Sequence, residues 1–439
     1  MMRVAICSLA VTICLGAGAA AGAQTAPVGV PITRGDAEAL ALKQNPRISA
    51  AHLLALAEGQ TVREARAGYL PQINGVSTAL DAEDGSRVGA GTLSSSRLYT
   101  HAGVGGTLSQ LMTDFGRTHF LVAAASLRAK AQEQSARATA QDVLYATDQA
   151  FYRLLNAQEL LKVAQQTVAA RQNVYNQIHA LTQAQLCSTL DQSIAAADLS
   201  QSQLLQLDAT NEEQSASAAL AALLAAPPDT TYVAAEDTSA APPLPPDSSA
   251  PLEAAALAAR PDLVALRYSY QADQKFARAQ NLQQLPTIDA VAIGGITPVR
   301  PDGNVFTPNW YAEAGFNLTL PLFTGFRISA ETKEAQYRAR AQQAQAAELA
   351  NNIARDVRTA TLTAQTAFQR ITVTEAFRNQ AAQALKLAQS RYQLGLSSIV
   401  ELSQAQLQST QADVAAVNAR YDYLLALRSL SYTEGQLAP

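Results

Sequence analysis

The chain carries one long segment twice, and this duplication constrains its fold more than any other feature. Pro46 and Pro71 recur as Pro261 and Pro286 at one fixed spacing. Gly105, Arg117, Leu186 and Ser188 recur as Gly315, Arg327, Leu396 and Ser398 at a slightly shorter one. The drift falls between Pro71 and Gly105, where a surface loop can absorb it. Each copy reads as a helix, a β-hairpin of membrane-strand character and two very long helices. The first copy runs from Asp36 to about Ala226, the second from Leu252 to Leu437. Strands set beside helices too long for a globular domain point to a conduit rather than an enzyme.

The helices are legible from what they lack. Thr118 to Ala226 contains neither Gly nor Pro, and Arg327 to Glu434 contains only Gly395. Ala, Gln, Leu and Arg dominate both stretches, and all favour helix. Each half has one expected break, at Ala184–Ser188 and at Leu394–Ser398. An unbroken helix from Thr118 to Leu181 would run about 95 Å at 1.5 Å per residue. Its apolar residues follow a heptad: Leu154, Leu161, Val168 and Tyr175, with Ala157, Ala164 and Ile178 three places on. Val400, Leu407, Val414 and Tyr421, flanked by Val417 and Leu424, suggest the same seam in the return helix of the second half.

The strand text follows each proline of the second pair. Expected strands run over 72–84 and 99–109 in the first half and over 287–296 and 310–320 in the second. In the last, Ala312, Ala314, Phe316, Leu318 and Leu320 alternate with Glu313, Gly315, Asn317 and Thr319. That alternation makes a two-faced strand long enough to cross a bilayer when tilted. Tyr99, Trp310 and Tyr311 stand at strand ends, where an aromatic girdle belongs. Four strands cannot close a barrel, and open edges in lipid leave backbone groups unsatisfied, so several chains must close one together.

The termini and composition agree with export. Arg3, an apolar run from Val4 to about Ala20 and Ala21-Gly22-Ala23 read as a signal peptide over 1–23. Cys14 follows Ile13 rather than the small residue a lipidated cysteine needs, so lipidation is not expected. Cleavage leaves Cys187 alone, which excludes an intrachain disulfide, and it reads as a small apolar residue rather than a reactive thiol. The charged content of 15% and net charge of −4 suggest no polyanion partner and no nucleic acid. His52, His101, His119 and His179 are scattered, with no ligand-spaced set for a metal. No nucleophile elbow, phosphate loop or paired-carboxylate constellation supports an enzyme, and no cofactor is implied. Pro227 to Pro251, rich in Pro, divides the repeats 24–226 and 252–439 and reads by composition as a mobile linker.

Several motifs, in order and twice, carry a resemblance over nearly the whole mature chain. They are Asn45-Pro46 and Arg260-Pro261 in the first helix of each repeat, and Tyr69-Leu70-Pro71 and Gln284-Leu285-Pro286 before the strands. Leu320-Pro321-Leu322-Phe323-Thr324-Gly325 lies at the strand-to-helix transition, echoed by Leu111-Met112-Thr113-Asp114-Phe115-Gly116. The run from Arg391 to Leu402, RYQLGLSSIVEL, lies at the second helical turn. With these the chain resembles the TolC family of outer-membrane efflux proteins. The resemblance implies a mainly α fold with a membrane β-barrel. Two tandem repeats per chain would trimerise into a 12-stranded outer-membrane barrel continuous with a 12-helix periplasmic α-barrel. The linker would lie at the barrel's equator.

The implied partners are two further copies of the chain, a periplasmic adaptor, an inner-membrane pump and outer-membrane lipid. The adaptor would meet the tip turns at Leu186, Ser188, Leu394, Gly395, Leu396, Ser397 and Ser398. Glu401 matches the first of two acidic positions that ring the family's pore entrance; the second is Gln404. Asp191 and Tyr392 match participants in links that hold the tip shut, and a basic partner of some members is Ser397 here. A passive duct for small solutes is the expected function, with type I protein secretion as the alternative. A secreted coiled-coil structural protein is the rival of another class.

Overall fold

The computed structural model describes residues 29–80, 101–227, 229–235, 244–299 and 307–437. The signal peptide, Tyr99, residues 81–84 and much of the Pro-rich stretch lie outside the described residues. After a short strand β1 (Val30–Ile32), each half follows one plan. Helices α1 (Arg34–Gln44) and α2 (Pro46–Ala67) lead into strands β2 (Gln72–Leu80) and β3 (His101–Thr113). Then come α3 (Arg117–Gln183) and α4 (Thr189–Leu223). After strand β4 (Tyr232–Ala234), the second half repeats this with α5 (Ala250–Ala259), α6 (Pro261–Asn281), β5 (Thr287–Val299) and β6 (Thr307–Thr319). It ends with α7 (Arg327–Gln393) and α8 (Ile399–Thr433). The long helices α3 and α7 have 67 residues each, and α4 and α8 have 35 each. A 67-residue helix is about 100 Å long.

Asn45-Pro46 and Arg260-Pro261 do not sit inside one helix, as expected from the sequence; they break it. Proline drives the residue before it into extended backbone, and Asn45 and Arg260 both adopt ψ near 120°. Asn45 then serves two helices. Its N–H donates to the Ala41 carbonyl, closing α1, and its side chain accepts from Arg47 N, opening α2.

Helix packing gives four columns in a fixed order. Both α2 and α4 pack on α3, whereas α6 and α8 pack between α3 and α7. The column of α2 and α4 therefore forms one flank and α7 the other. Leu154, Ala157, Ala164 and Ile178 of the α3 heptad are buried, with Leu161, Val168 and Tyr175 half-buried beside them. On α8 the expected seam holds at Tyr421, 2% exposed with Val417 and Leu424 packed against its core, but not at its start. Val400 is 59% exposed, and the buried stripe is Ala405, Ala412, Ala419 and Ala426. Alanine lets the backbones approach closely, and the bulkier Leu407 and Val414 lie beside the contact, half-buried. One apolar core, around Phe151, Leu154, Leu220 and Tyr421, also takes in Ala37 and Ala41 of α1. A second, around Ile178, Ala195, Ile399 and Leu402, fills the tip.

The described part of the Pro-rich stretch is fastened down, not free as composition suggests. Strand β4 pairs in parallel with β1, Ser217 Oγ exchanges hydrogen bonds with the Tyr232 backbone, and Gln365 Nε2 donates to Pro246 O. The four long strands form one antiparallel sheet in the order β2-β3-β5-β6. They start or end a few residues from the expected limits. Strands β2 and β6 are its outer edges.

Candidate functional site

The register sorts every strand residue onto one of two faces. Leu318 lies opposite Ile288, Phe316 opposite Ala290, Ala314 opposite Ala292 and Trp310 opposite Ile296. Ile296 and Ala292 in turn face Val104 and Leu108, and Leu108 faces Ile73. All belong to one apolar face, which is exposed rather than packed: Trp310 is 79% and Phe316 76% accessible. From Trp310 to Leu318 the strand covers roughly 27 Å at about 3.4 Å per residue, enough for a tilted crossing. The opposite face holds Gln72, Asn74, Thr107, Ser109, Asp289, Glu313, Asn317 and Thr319.

Tyr311 does not join Trp310 in an outward girdle, because successive strand residues point to opposite faces. It lies on the polar face, where its hydroxyl covers Gly105 and Gly295, which face each other in register. A Cβ at either glycine would come within 2.8 Å of that hydroxyl. At the other end of the sheet, Phe115, Phe323 and Phe326 are exposed, and the rings of Phe323 and Phe326 meet edge to face at 5.8 Å. Here the chain turns from strand to helix through two successive left-handed residues: Phe115-Gly116 in the first half, Gly325-Phe326 in the second. A phenylalanine in that region is strained, and both halves hold one. Asp114 caps the first of these turns, accepting from Gly116 N and Thr118 N.

The opposite extremity is the pair of helical turns. Both close with the same hydrogen bonds. Gln185 N donates to Thr182 O and Leu186 N to Leu181 O; Gly395 N donates to Tyr392 O and Leu396 N to Arg391 O. This arrangement needs one left-handed residue. Gly395 supplies it in the second turn, and Gln185, at φ 60°, in the first. Ser188 and Ser398 cap the returning helices, accepting from Leu190 N and Glu401 N. Leu186, Leu394 and Leu396 project into solvent, whereas Ser397 is half-buried and its Oγ has no partner.

A search of curated protein sequences finds no match. The model of a protein family described as outer membrane efflux protein matches residues 39–226 and 252–435. The chain belongs to that family. Three solved structures share its fold. A membrane protein from Pseudomonas aeruginosa is 22% identical, with a TM-score of 0.79 over 92% of this chain and 90% of that one. The CmeC outer membrane channel of Campylobacter jejuni is 18% identical, TM-score 0.81, over 92% and 87%. The outer membrane protein VceC of Vibrio cholerae is 20% identical, TM-score 0.78, over 92% and 96%. This efflux protein is thus an outer-membrane channel with a large helical periplasmic portion. The family is one of channels.

At the efflux protein's tip, the expected residues have partners the sequence did not indicate. Asp191 accepts from Ser188 N, so it caps α4. It lies near Tyr392, as does Cys187. Burial, then the nearby Cys187 and Asp191, hold that phenol above its usual range. Glu401 does not stand alone, because Arg391 reaches it across the turn at 3.2 Å. Further up the shaft, Arg171 occupies a seam position of α3, three residues after Val168. It is buried and donates to Asp198 Oδ2 at 2.8 Å and Gln406 Oε1 at 2.6 Å, with Ser403 donating to the same carboxylate. An arginine on an otherwise apolar heptad was the available signal. Among the described residues no group of His, Cys, Asp and Glu could hold a metal.

Proposed function

We propose that three copies of this chain close into one continuous export duct with no chemistry of its own. The observation that carries this reading is that the open edges of sheet and helices share the same two flanks. Strand β2 follows α2 directly and β6 leads directly into α7, so each unpaired strand sits above an outer helix column. Joining the β6–α7 flank of one copy to the β2–α2–α4 flank of the next is a heterologous contact. Such a contact must close into a ring or run on as a fibre. A ring satisfies the strand edges that lipid would leave unpaired. Three copies, the number the family resemblance implies, give twelve strands and twelve helix columns.

The apolar sheet face then meets lipid and the polar face lines a water-filled lumen. A passive lumen takes its energy from elsewhere, which is the role of an inner-membrane pump and a periplasmic adaptor docking on the exposed leucines of the tip. Asp191, Tyr392 and the Arg391–Glu401 pair hold the tip. Small-solute efflux is the assigned traffic, and the secreted coiled-coil alternative leaves the apolar sheet face unexplained. Protein extracted from outer membranes in mild detergent is expected to have the mass of three chains by light scattering. A stable monomer with full strand content would contradict the assembly.

A further inference from the structure

We propose that Asp289 and Glu313 give the barrel lumen a cation preference of its own, separate from any filter at the helical tip. This rests on the duct reading above. The described strands 72–80, 101–113, 287–299 and 307–319 contain no lysine or arginine, and Asp289 and Glu313 are their only carboxylates. Both fall on the polar face. Glu313 lies opposite Ile293, and Asp289 lies between Asn317 and Leu111. Neither has an ion-pair partner among the described residues, and the residues facing them in register are neutral. They stand at two levels of the sheet, roughly 13 Å apart at about 3.3 Å per residue.

The tip is arranged differently. Its carboxylate, Glu401, is matched by Arg391 at 3.2 Å, so that pair contributes little net field. Asp191 is engaged with the Ser188 backbone. Between Glu401 at the tip and the sheet, the carboxylates without an ion-pair partner among the described residues are therefore those of the sheet. Three copies would set six carboxylates around a lumen with low-dielectric walls, which focus the field into the water and raise the local concentration of cations. In a lumen wider than the screening length such charges act on ions near the wall, so the preference depends on salt.

The test is the reversal potential of the full-length protein in planar bilayers under a KCl gradient. The Asp289→Asn, Glu313→Gln double variant is expected to lower the cation-to-anion permeability ratio about twofold near 0.1 M, where screening extends about 10 Å, with the difference collapsing near 1 M, where it extends about 3 Å. Glu313→Lys should lower the ratio further, while Glu401→Gln should leave the barrel's share intact. Glu313→Cys in a Cys187→Ser background gives the same test within one folded channel: a cationic methanethiosulfonate added after insertion should lower the ratio and an anionic one should not. An unchanged ratio at low salt in a conducting double variant, or loss of all preference in Glu401→Gln alone, would overturn the assignment. A wild-type protein that conducts nothing would instead overturn the duct reading, and this inference with it.

Discussion

In the shaft, alanine is the commonest residue beyond the reach of solvent, as at Ala157, Ala164, Ala412 and Ala419, each at most 2% exposed. In the sheet, the residues most open to it are among the largest apolar ones, Trp310, Phe316 and Ile73. One chain thus obeys two opposite rules. The helices bury apolar surface against each other and show polar side chains to water, as a water-soluble bundle does. The sheet buries nothing of its own and turns its apolar face outward. On the duct reading the difference marks two solvents, water along the shaft and hydrocarbon around the strands, meeting at the strained Phe115-Gly116 and Gly325-Phe326 turns.

The contrast can be broken from the shaft side first. Leu154 is fully buried where α1, α3 and α8 meet. Leu154→Ala should cost about 2–5 kcal/mol of unfolding free energy, because it removes apolar contact and leaves a cavity. The same truncation at exposed Leu318 should cost far less in detergent. Parallel denaturant titrations of the two variants check this, and equal losses would mean that the sheet has a core of its own.

Next in size is a charge placed on either face of the sheet. Leu318→Arg should lower outer-membrane assembly by about 2–4 kcal/mol if it lies near the midplane. Asn317→Arg, one residue away on the polar face, should be tolerated better. The reverse order of assembly yields would mean that the facing has been misread.

A third prediction concerns acid. Asp148 is fully buried on α3, between Glu38 of α1 and Arg428 of α8, which donates to it at 2.6 Å. Burial, with Glu38 adding to it and Arg428 opposing, raises its carboxyl to about 7. An unfolded aspartate titrates near about 3.9. Folding therefore takes up a proton between those values, and this group's contribution to stability is present below about pH 4 and lost as the pH rises through about 7. Asp148→Asn should flatten the pH dependence of the melting temperature across that window. An unchanged slope would place the titration elsewhere.

The smallest effect is expected at the tip. Tyr392→Phe with Asp191→Ala removes contacts worth about 0.5–1.5 kcal/mol each, repeated in every copy. Single-channel conductance should rise, with assembly intact. Unchanged conductance would place the constriction elsewhere.

What the sequence revealed and hid follows the same divide. The two faces of the strand were legible because alternation over Ala312–Leu320 leaves one apolar face, and the second helix break was legible because Gly395 interrupts a long run without Gly or Pro, the first following only from its place in the repeat. Tyr311 was misplaced by nearness to Trp310, although adjacent strand residues must part. The α8 seam was legible at Tyr421 but not nearer the tip, where Val400 is exposed and the buried stripe is alanine, a residue that occurs on every face. The Arg391–Glu401 pair was invisible because a left-handed turn, not helical periodicity, brings the two together. Gln185 in that left-handed position is equally unmarked, since nothing in the residue type announces a positive φ.

Trp310 is the only tryptophan in the chain, so its emission reports the sheet without any substitution. With the protein in outer-membrane vesicles, quenching of this residue by brominated lipid, set against quenching by aqueous iodide, tests whether the strands face hydrocarbon. A blue-shifted emission quenched by the lipid and little by iodide is expected. Emission at the water-exposed wavelength, quenched by iodide and indifferent to the lipid, would contradict a sheet that spans the membrane.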